Sequence, residues 1–214
     1  MKRILILGGG GNASVIGYAI LDASIRGQSD LEFCGFINDR DNVGEIEGYP
    51  VFGGLKDIPG LLDSGFFFIN SIGKIGHQKN RIELIDSLPI PPERWVTFIH
   101  PLAYVAPNVM IGHGSVVMPH VSISPGTVIG NHTRIMINAV IGHNNKIGNH
   151  CFFAASSCVG AYITIGDGVF ISLNSTIREY LTLGNHSTLG MGAVLTKDVG
   201  DNEIWVGNPA KCLR

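Results

Sequence analysis

Residues 129–150 read IGNHTRIMINAVIGHNNKIGNH, and the tripeptide Gly-Asn-His that starts at residue 130 starts again at residue 148. A third copy starts at residue 184, so the copies are separated by multiples of 18 residues. A large apolar residue also returns at every sixth position from Ile99 to Leu195, with no insertion. A period of six predicts a short strand, a tight corner and another short strand. Three such units close one triangular coil of a parallel β-helix.

One corner of the prism stacks on itself with Gly-Asn-His as its preferred sequence, and there the glycine is predicted to supply backbone freedom and the asparagine to tolerate a left-handed backbone. Four residues after each apolar position the side chain is mostly small or β-branched, which suits the space beneath a corner. A Gly-rich β-sandwich is the alternative fold. It is disfavoured because a sandwich would not keep a strict six-residue frame from Ile99 to Leu195.

The composition narrows the class of protein. The chain has 214 residues, a formal net charge of −2, 45% apolar residues and 15% charged residues. No basic excess indicates a nucleic-acid partner, and no apolar run approaches the roughly 18 residues of a membrane-spanning helix. The apolar run in MKRILIL is too short for a signal-peptide core. Four cysteines without zinc spacing favour reduced thiols in a cytoplasmic protein.

Strands and helices alternate before the repeat, which predicts a small parallel α/β domain. Strands are expected at 3–7, 31–38, 66–70 and 95–99, and helices at 13–24 and 77–88. Gly8-x-Gly10-x-x-Ala13 lies between the first strand and the first helix, as a loose dinucleotide-binding fingerprint requires. The acidic residue expected after the second strand is displaced, since Asn38 comes first and Asp39 second. A nucleotide site and a purely structural tight turn both stay open.

The repeat contains His113, His120, His132, His143, His150 and His186, most of them at corners where a polar side chain is solvated. His132, His150 and His186 share one corner column, and solvation is the expected state of all three. A metal site is the alternative, because trimeric carbonic anhydrases of the γ class bind zinc through three histidines across a subunit interface. Their pattern needs two histidines five residues apart, which this sequence lacks, so no metal is predicted.

His143 lies on another column. Stepping by 18 residues gives His143, Ala161, Glu179 and Lys197, which should stack along one edge at about 4.8 Å per coil. A base at one end and a cation about 14 Å away suit a long thioester ligand, with its carbonyl at His143 and its phosphates at Lys197. A solvated corner is the alternative for Glu179 and Lys197.

Four stretches carry a resemblance to a known family: ILILGGGGNASV (4–15), FIHPLAYVAPNVMIG (98–112), LGMGAVLTKDV (189–199) and WVGNPAK (205–211). The chain resembles, over its whole length, the left-handed β-helix (hexapeptide-repeat) sugar O/N-acyltransferases of the sialic-acid O-acetyltransferase and bacillosamine N-acetyltransferase type. The resemblance implies a Rossmann-like nucleotide-sugar-binding domain at 1–98, a left-handed β-helix at 99–197 and a C-terminal tail at 198–214. It also implies a homotrimer with active sites between neighbouring prisms, acetyl-CoA as co-substrate, and a cytoplasmic role in surface-polysaccharide biosynthesis.

The resemblance assigns roles to matching positions. His143 corresponds to the family's catalytic histidine, but Asn144 and Asn145 stand where the family has an acid and a cysteine. Asn12 replaces a histidine of the glycine loop, and Phe152 replaces a histidine often presented to acetyl-CoA. The residues expected at acetyl-CoA are Phe152, Gly160, Ala161, Gly190, Gly192, Lys197 and Lys211. The residues expected at the nucleotide sugar are Gly9, Gly10, Asn12, Asn38, Asp39 and Gly73.

The function predicted is an acetyl-CoA-dependent acetyltransferase that acts on the amine of a nucleotide-linked amino sugar. His143 is the general base, Asn144 orients it without supplying charge, and a backbone N–H of Gly160 or Ala161 holds the thioester oxygen. An amine is a better nucleophile than a hydroxyl, so the missing carboxylate favours N-acetylation. The alternatives are an O-acetyltransferase on a free sugar acid, a non-catalytic trimeric binding or scaffold protein, and a zinc enzyme of the γ-class carbonic anhydrase type.

Overall fold

A computed structural model of the chain describes residues 1–40, 43–73 and 76–213. The chain divides into two compact units, Met1–Pro101 and Leu102–Arg214. The sequence places the same division between residues 98 and 99. The segment 198–214, expected to be a separate tail, lies in the second unit.

The first unit is an α/β unit built on a three-stranded parallel sheet. Its elements are β1 (Lys2–Leu7), α1 (Asn12–Ile25), β2 (Leu31–Ile37), β3 (Glu45–Ile46), β4 (Tyr49–Pro50), α2 (Ile58–Asp63), β5 (Phe67–Asn70), α3 (Gln78–Asp86) and β6 (Phe98–Ile99), with 3₁₀ turns at Leu55–Asp57 and Pro92–Arg94. The sheet order is β2-β1-β5, so β1 is central. The apolar side chains of β1 are fully buried, as a strand paired and covered on both sides requires.

Most elements of this unit follow the sequence pattern, and three do not. The antiparallel β3–β4 hairpin and the short helix α2 were not predicted. The strand predicted at 95–99 is wrong over most of its length, because only Phe98–Ile99 is a strand. Trp95 makes an isolated parallel bridge to Phe68 instead, and the Val96 N–H donates to Phe68 O at 2.9 Å. The segment therefore touches the sheet at one point rather than running along it.

The second unit is a left-handed parallel β-helix whose two-residue strands form three faces. The first face contains β7 (Tyr104–Val105), β10 (Ser122–Ile123), β13 (Val140–Ile141), β16 (Cys158–Val159), β19 (Thr176–Ile177) and β22 (Val194–Leu195). The second face contains β8 (Met110–Ile111), β11 (Val128–Ile129), β14 (Lys146–Ile147), β17 (Thr164–Ile165) and β20 (Thr182–Leu183). The third face contains β9 (Val116–Val117), β12 (Arg134–Ile135), β15 (Phe152–Phe153), β18 (Phe170–Ile171), β21 (Thr188–Leu189), β23 (Ile204–Val206) and β24 (Lys211–Cys212).

Three edges separate these faces, and each is named here by its residues. The His143 edge follows the strands of the first face and holds 106–109, 124–127, 142–145, 160–163, 178–181 and 196–199. The Gly-Asn edge joins the second face to the third and holds 112–115, 130–133, 148–151, 166–169 and 184–187. The apolar edge joins the third face to the first and holds 118–121, 136–139, 154–157, 172–175 and 190–193.

The interior of the prism is filled by the six-residue apolar series and by small polar residues beneath the corners. From Val117 to Leu195 every apolar residue of the series is 5% exposed or less. The residue four positions later is also buried, and at some positions its hydroxyl ties neighbouring coils together. Ser115 Oγ donates to Gly130 O at 2.9 Å and Thr133 Oγ1 donates to Gly148 O at 3.1 Å. These two hydroxyls therefore link neighbouring coils, whereas Ser175 Oγ donates to Ser172 O of its own coil at 2.8 Å, and Ser157 Oγ and Ser187 Oγ have no hydrogen-bond partner among the described residues.

The Gly-Asn edge explains the tripeptide differently from the sequence prediction. A Cβ on Gly148 would lie 2.4 Å from Asp167 Oδ1, so the glycine is needed for close approach between coils rather than for conformational freedom. The left-handed residue is the histidine, since His132, His150 and His186 have φ of 54°, 56° and 58°. The asparagine has another role, because its side chain bonds to the backbone of the neighbouring coil.

The asparagine column forms a ladder of hydrogen bonds along the Gly-Asn edge. Each side-chain oxygen accepts the backbone N–H one coil earlier, with donor–acceptor distances of 2.6–3.1 Å. The rungs run through His113, Asn131, Asn149, Asp167, Asn185 and Asp201. The ladder satisfies backbone donors that a tight corner leaves without a partner in its own strand.

The C-terminal segment continues the prism. β23 pairs in parallel with β21, and β24 folds back on β23 as an antiparallel hairpin. The segment thus adds a partial coil to the third face. In the described ranges, none of the helices combines the length and apolarity that crossing a bilayer requires.

Candidate active site

His143 and Asn144 form a hydrogen-bonded pair on the His143 edge. His143 Nδ1 lies 2.8 Å from Asn144 Oδ1, and both side chains are exposed. An amide oxygen only accepts, so Nδ1–H is the donor of this bond and Nε2 takes no part in it. Asn144 has φ of 57°, a left-handed conformation that asparagine tolerates. The orientation of the ring is therefore set by its neighbour in sequence.

The register of the first face stacks the residues that the sequence placed in one column. Ile141, Val159, Ile177 and Leu195 are consecutive partners in parallel pairs, and the second residue after each is His143, Ala161, Glu179 and Lys197. Glu179 and Lys197 are exposed. The predicted column therefore exists as one edge of the prism.

An aromatic ladder lies beside this column and was missed by the sequence prediction. The ring of Tyr162 meets the His143 ring edge-to-face, with centroids 5.1 Å apart. Tyr180 stacks on Tyr162, also at 5.1 Å and with an interplanar angle of 3°. The signal was present, because stepping by 18 from Asn144 reaches Tyr162 and then Tyr180. The two rings extend an exposed flat surface away from the histidine.

The two candidate oxyanion donors, the N–H groups of Gly160 and Ala161, differ in their hydrogen bonding. Gly160 N–H donates to Ile177 O at 2.9 Å and is therefore not available to a ligand. No acceptor among residues 1–40, 43–73 and 76–213 receives the Ala161 N–H. The Gly160 carbonyl points into the prism, where it accepts from the buried Asn145 side chain. In a trans peptide the N–H points the opposite way, so the Ala161 N–H faces outward.

The other residues expected at acetyl-CoA are not brought to this edge within one chain. Phe152 is on the third face, 6% exposed, and stacks on Phe170 with centroids 4.8 Å apart. Gly190 and Gly192 are on the apolar edge. Lys211 is exposed on β24. Within a single prism, only Gly160, Ala161 and Lys197 of the expected set share the edge of His143.

The residues expected at the nucleotide sugar lie where β1 and β2 end. A cleft of about 180 Å³ is lined there by Gly8, Ile37, Asn38, Asp39, Leu55 and Ile72. Ligands of open α/β sheets bind at the carboxyl ends of the strands, which is where this cleft lies. Of the expected residues, Asn38 and Asp39 line the cleft, Gly9 and Gly10 are in the adjoining loop, and Gly73 follows the lining residue Ile72.

Asn38 and Asp39 are already engaged in local hydrogen bonds. Asn38 Nδ2 donates to Gly8 O at 3.2 Å, and Asn38 Oδ1 accepts the Arg40 N–H at 2.9 Å. Asp39 Oδ1 accepts the Leu55 N–H at 2.8 Å. Asn12 begins α1 and makes no side-chain cap, since the cap position belongs to Gly11. Asn38 therefore fastens the glycine loop to the end of β2.

The sequence predicts solvation for the histidines of the Gly-Asn edge, but His132 and His150 are buried and His186 is half-buried. His132 and His150 are each 7% exposed and stack with ring centroids 5.0 Å apart. Burial chiefly, with smaller contributions from the neighbouring His150, His113 and Arg134, lowers the pKa of His132 to about 3. A buried cationic imidazole beside other basic groups is unfavourable, so His132 stays neutral. Within the described ranges, no cluster of three or more His, Cys, Asp or Glu has a geometry that holds a metal ion.

Comparisons with known proteins cover both units. The family model described as the GMPPB C-terminal domain matches residues 98–206, just over half of the chain. A curated relative, the UDP-N-acetylbacillosamine N-acetyltransferase of Bacillus subtilis, is 27% identical over 123 residues. That alignment covers 55% of this chain and 52% of the relative, so the chain matches about half the relative's length.

Solved structures match over the full length. A variant of perosamine N-acetyltransferase from Caulobacter crescentus, in complex with CoA and GDP-perosamine, superposes with a TM-score of 0.84 at 26% identity, over 100% of this chain and 98% of that one. The acetyltransferase domain of PglB from Neisseria gonorrhoeae gives a TM-score of 0.84 at 26% identity over 100% of both chains. That domain has also been solved with acetyl coenzyme A, where the match covers 99% of each chain.

Proposed function

Because the chain belongs to the family of the GMPPB C-terminal domain, we propose that it is an acetyltransferase acting on a nucleotide-linked amino sugar. The proposed reaction moves the acetyl group of acetyl-CoA to the amine of the sugar. The observation that carries it is the pairing on one edge of an exposed, oriented histidine with an outward backbone N–H one coil away. The full-length match to sugar N-acetyltransferases solved with CoA and acetyl-CoA supports the same chemistry.

The proposed mechanism uses His143 as the general base. The sugar amine attacks the thioester carbonyl carbon, and Nε2 of His143 removes a proton from the attacking nitrogen. The C–S bond then breaks, and the departing CoA sulfur takes a proton to leave as the thiol. The negative charge on the carbonyl oxygen in between is stabilised by the Ala161 N–H, which no residue of the described chain consumes. Gly160 is not proposed for this role, because its N–H is bonded to Ile177.

Asn144 and Lys197 take supporting roles in this proposal. Asn144 holds the Nδ1–H tautomer but adds no charge to stabilise the imidazolium. An amine acceptor needs less help from a charged dyad than a hydroxyl does, which supports N-acetylation. Lys197 is exposed two coils beyond Ala161 and supplies a positive charge for CoA phosphates.

The first unit is proposed to bind the nucleotide of the substrate. The cleft at Gly8, Asn38 and Asp39 lies at the strand ends and beside the start of α1, where backbone amides favour phosphate. A side chain on Gly9 would displace the Asn38 amide, because its Cβ would lie 2.6 Å from Asn38 Nδ2. The loop is thereby held close to the end of β2, and Gly9, Gly10, Asn12 and Gly73 are proposed to surround the ligand.

A homotrimer is proposed as the working assembly. Ile137, Leu173 and Met191 are 40%, 49% and 75% exposed on one column of the apolar edge, an arrangement that leaves an apolar stripe uncovered in a single prism. A neighbouring prism would cover this stripe and bring Phe152, Gly190 or Gly192 of one subunit toward the His143 edge of another. The four cysteines are all free thiols, which supports the proposed cytoplasmic location.

The test is a thiol-release screen of nucleotide amino sugars with acetyl-CoA, using the wild-type chain and His143→Ala. Release with an amino sugar, and a loss of about 10²-fold or more in kcat on His143→Ala, supports the proposal. Release with a sugar that lacks the amine would identify an O-acetyltransferase. No release with any sugar would favour a binding or scaffold protein, and unchanged turnover in His143→Ala would remove His143 from the mechanism.

A further inference from the structure

The buried side chain of Asn145 is the least expected polar group in the β-helix core. Asn145 is 0% exposed. In the next two coils the equivalent positions are occupied by the apolar residues Ile163 and Leu181. An amide in such surroundings is stable only if its hydrogen-bonding groups are satisfied. All of them are, and the partners belong to the two corners that carry the proposed base and oxyanion donor.

The hydrogen bonds fix which end of the Asn145 amide faces which partner. Oδ1 accepts the Ile163 N–H at 2.7 Å, and a backbone N–H can only donate, so this atom is the oxygen. Nδ2 therefore faces the two carbonyls, Gly142 O and Gly160 O, each at 2.8 Å. One N–H goes to each coil, and no amide hydrogen remains.

These two carbonyls belong to the peptide units that matter in the proposed mechanism. The Gly142 carbonyl precedes His143, and the Gly160 carbonyl precedes Ala161. Drawing each carbonyl inward turns the N–H of the same peptide outward, because the peptide is planar and trans. The single NH₂ group of Asn145 thus sets the orientation of both peptides and the separation of the two coils at this edge.

The two peptides differ in how much they depend on Asn145. Gly142 O also accepts from Thr127 Oγ1 at 2.9 Å, so its orientation has a second support. Gly160 O accepts the Asn145 side chain, and its coil carries Ile163 at the small-residue position. The orientation of the Ala161 N–H therefore depends mainly on Asn145.

We propose that Asn145 is a positioning residue that clamps the peptide before His143 to the peptide before Ala161, and so aims the Ala161 N–H at the reacting carbonyl. The inference rests on the proposed function. Asn145 itself touches no substrate. Its contribution is expected in kcat rather than in the KM for acetyl-CoA, because the aimed donor acts on charge that develops in the transition state.

The chain offers a matched pair of substitutions. Asn145→Val removes both donors, and valine is already present at the same register position at Val109 and Val199. Asn145→Thr has nearly the same shape but keeps a hydroxyl. By the pattern of Thr133, which donates to Gly148 O and accepts the Cys151 N–H, that hydroxyl would donate to Gly160 O and accept the Ile163 N–H. Thr133→Val removes an equivalent hydrogen-bonding side chain between two coils of the Gly-Asn edge, away from His143.

We expect Asn145→Val to lower kcat about tenfold to a hundredfold with the KM for acetyl-CoA changed less than about threefold, since losing a whole oxyanion donor costs about 10²–10³. Asn145→Thr should recover most of kcat, and Thr133→Val should lose thermal stability to a similar degree with kcat unchanged. Full activity in Asn145→Val, or an equal loss of kcat in Thr133→Val, would overturn the proposal.

Crystal structures of the two Asn145 variants give a readout that does not depend on turnover. The Gly160–Ala161 peptide should rotate in Asn145→Val and keep its orientation in Asn145→Thr. An unrotated peptide in Asn145→Val would refute the clamp even if the acetyltransferase activity is real. A rotated peptide in a chain without acetyltransferase activity would refute the proposed function while leaving the clamp in place.

Discussion

At the scale of single residues, the pair of His143 and Asn144 differs from a charged catalytic dyad in one group: it has a side-chain amide where the dyad has a carboxylate. The amide oxygen orients the ring at 2.8 Å but cannot stabilise the imidazolium by charge. Asp fits the left-handed backbone of this position about as well as Asn does. Replacing the amide by a carboxylate is therefore a clean test of what charge adds to this site.

We predict that Asn144→Asp moves the acidic limb of the pH profile of kcat/KM to higher pH by about 1 unit, because a carboxylate favours the protonated imidazole. Turnover above that limb should rise. Asn202→Asp is the control, since Asn202 is also exposed and left-handed, with φ of 62°, but lies next to Asp201 at the end of the asparagine ladder. A pH profile that shifts equally in both variants would mean that general surface charge, not the contact with His143, sets the limb.

His132 makes folding sensitive to acid. Its pKa is lowered to about 3 in the folded chain, chiefly by burial, against about 6.5 when unfolded. The unfolded state therefore binds a proton between these pH values and the folded state does not. The stability is complete above about pH 6.5 and is lost as pH falls from there toward 3, by about 2 kcal/mol at pH 5.

We expect His132→Asn to reduce this loss, because asparagine adopts the same left-handed backbone at Asn138 and Asn174 and does not titrate. Thermal midpoints measured between pH 7 and pH 5 should fall less in the variant than in the wild type. His120→Asn, at an exposed left-handed corner, is the comparison and should fall as the wild type does. Identical pH dependence in all three proteins would show that His132 accepts a proton in the folded state.

At the scale of elements, the corner geometry depends on close approach between coils. Gly148 has backbone and carboxylate atoms of the next coil within 2.4–2.8 Å of where a Cβ would stand, whereas Gly192 has open space there. Gly192 has φ of 62°, so its conformation alone disfavours a side chain. The two glycines separate the steric cause from the conformational one.

We predict that Gly148→Ala lowers the free energy of unfolding by about 3 kcal/mol through overpacking, and that Gly192→Ala lowers it by only about 1 kcal/mol through the left-handed backbone. Denaturant unfolding of the two variants measures both. An equal cost would mean that the corner can widen to admit a methyl group, and the asparagine ladder would then have to be more compliant than its 2.6–3.1 Å bonds indicate.

The elements also show how much of the fold can be predicted from the sequence. A six-residue apolar frame predicts where each coil turns, and the strands from β7 to β22 lie where the frame places them. The frame does not say which of the corner residues turns left, so the glycine and the asparagine were assigned the wrong roles. The frame also does not predict the buried hydrogen bonds of Asn145 or the stacking of Tyr162 and Tyr180, because these depend on which side chains meet across neighbouring coils. In the first unit, β3 and β4 have two residues each and show no periodicity to detect.

At the scale of the whole molecule, assembly decides whether the predicted acetyl-CoA residues can meet. Within one prism Phe152, Gly190 and Gly192 lie away from the His143 edge, so a complete site of the predicted composition needs a second copy of the chain. The exposed stripe of Ile137, Leu173 and Met191 is the surface proposed for that contact. Nothing in the sequence pattern alone distinguishes an edge that faces water from one that faces another prism.

We predict that Leu173→Glu dissociates the assembly, because a carboxylate in an apolar contact loses its hydration without gaining a partner. Light scattering after gel filtration should report a mass near 22.9 kDa for the variant and three times that for the wild type. Turnover should fall with the mass. Thr164→Glu, on the exposed outer side of the second face, should leave both unchanged. A wild-type chain that is itself monomeric and active would contradict the trimer.

The unbroken six-residue frame also limits how this protein can change in length. Inserting one residue into a strand would turn every later side chain away from its stacking partner, so His143 and Lys197 would no longer share an edge. Inserting eighteen would lengthen the prism by one coil and leave all three edges in line. Evolution of such a chain is therefore expected to add or remove whole coils, or to place extra residues in loops that project from the corners and leave the stack intact.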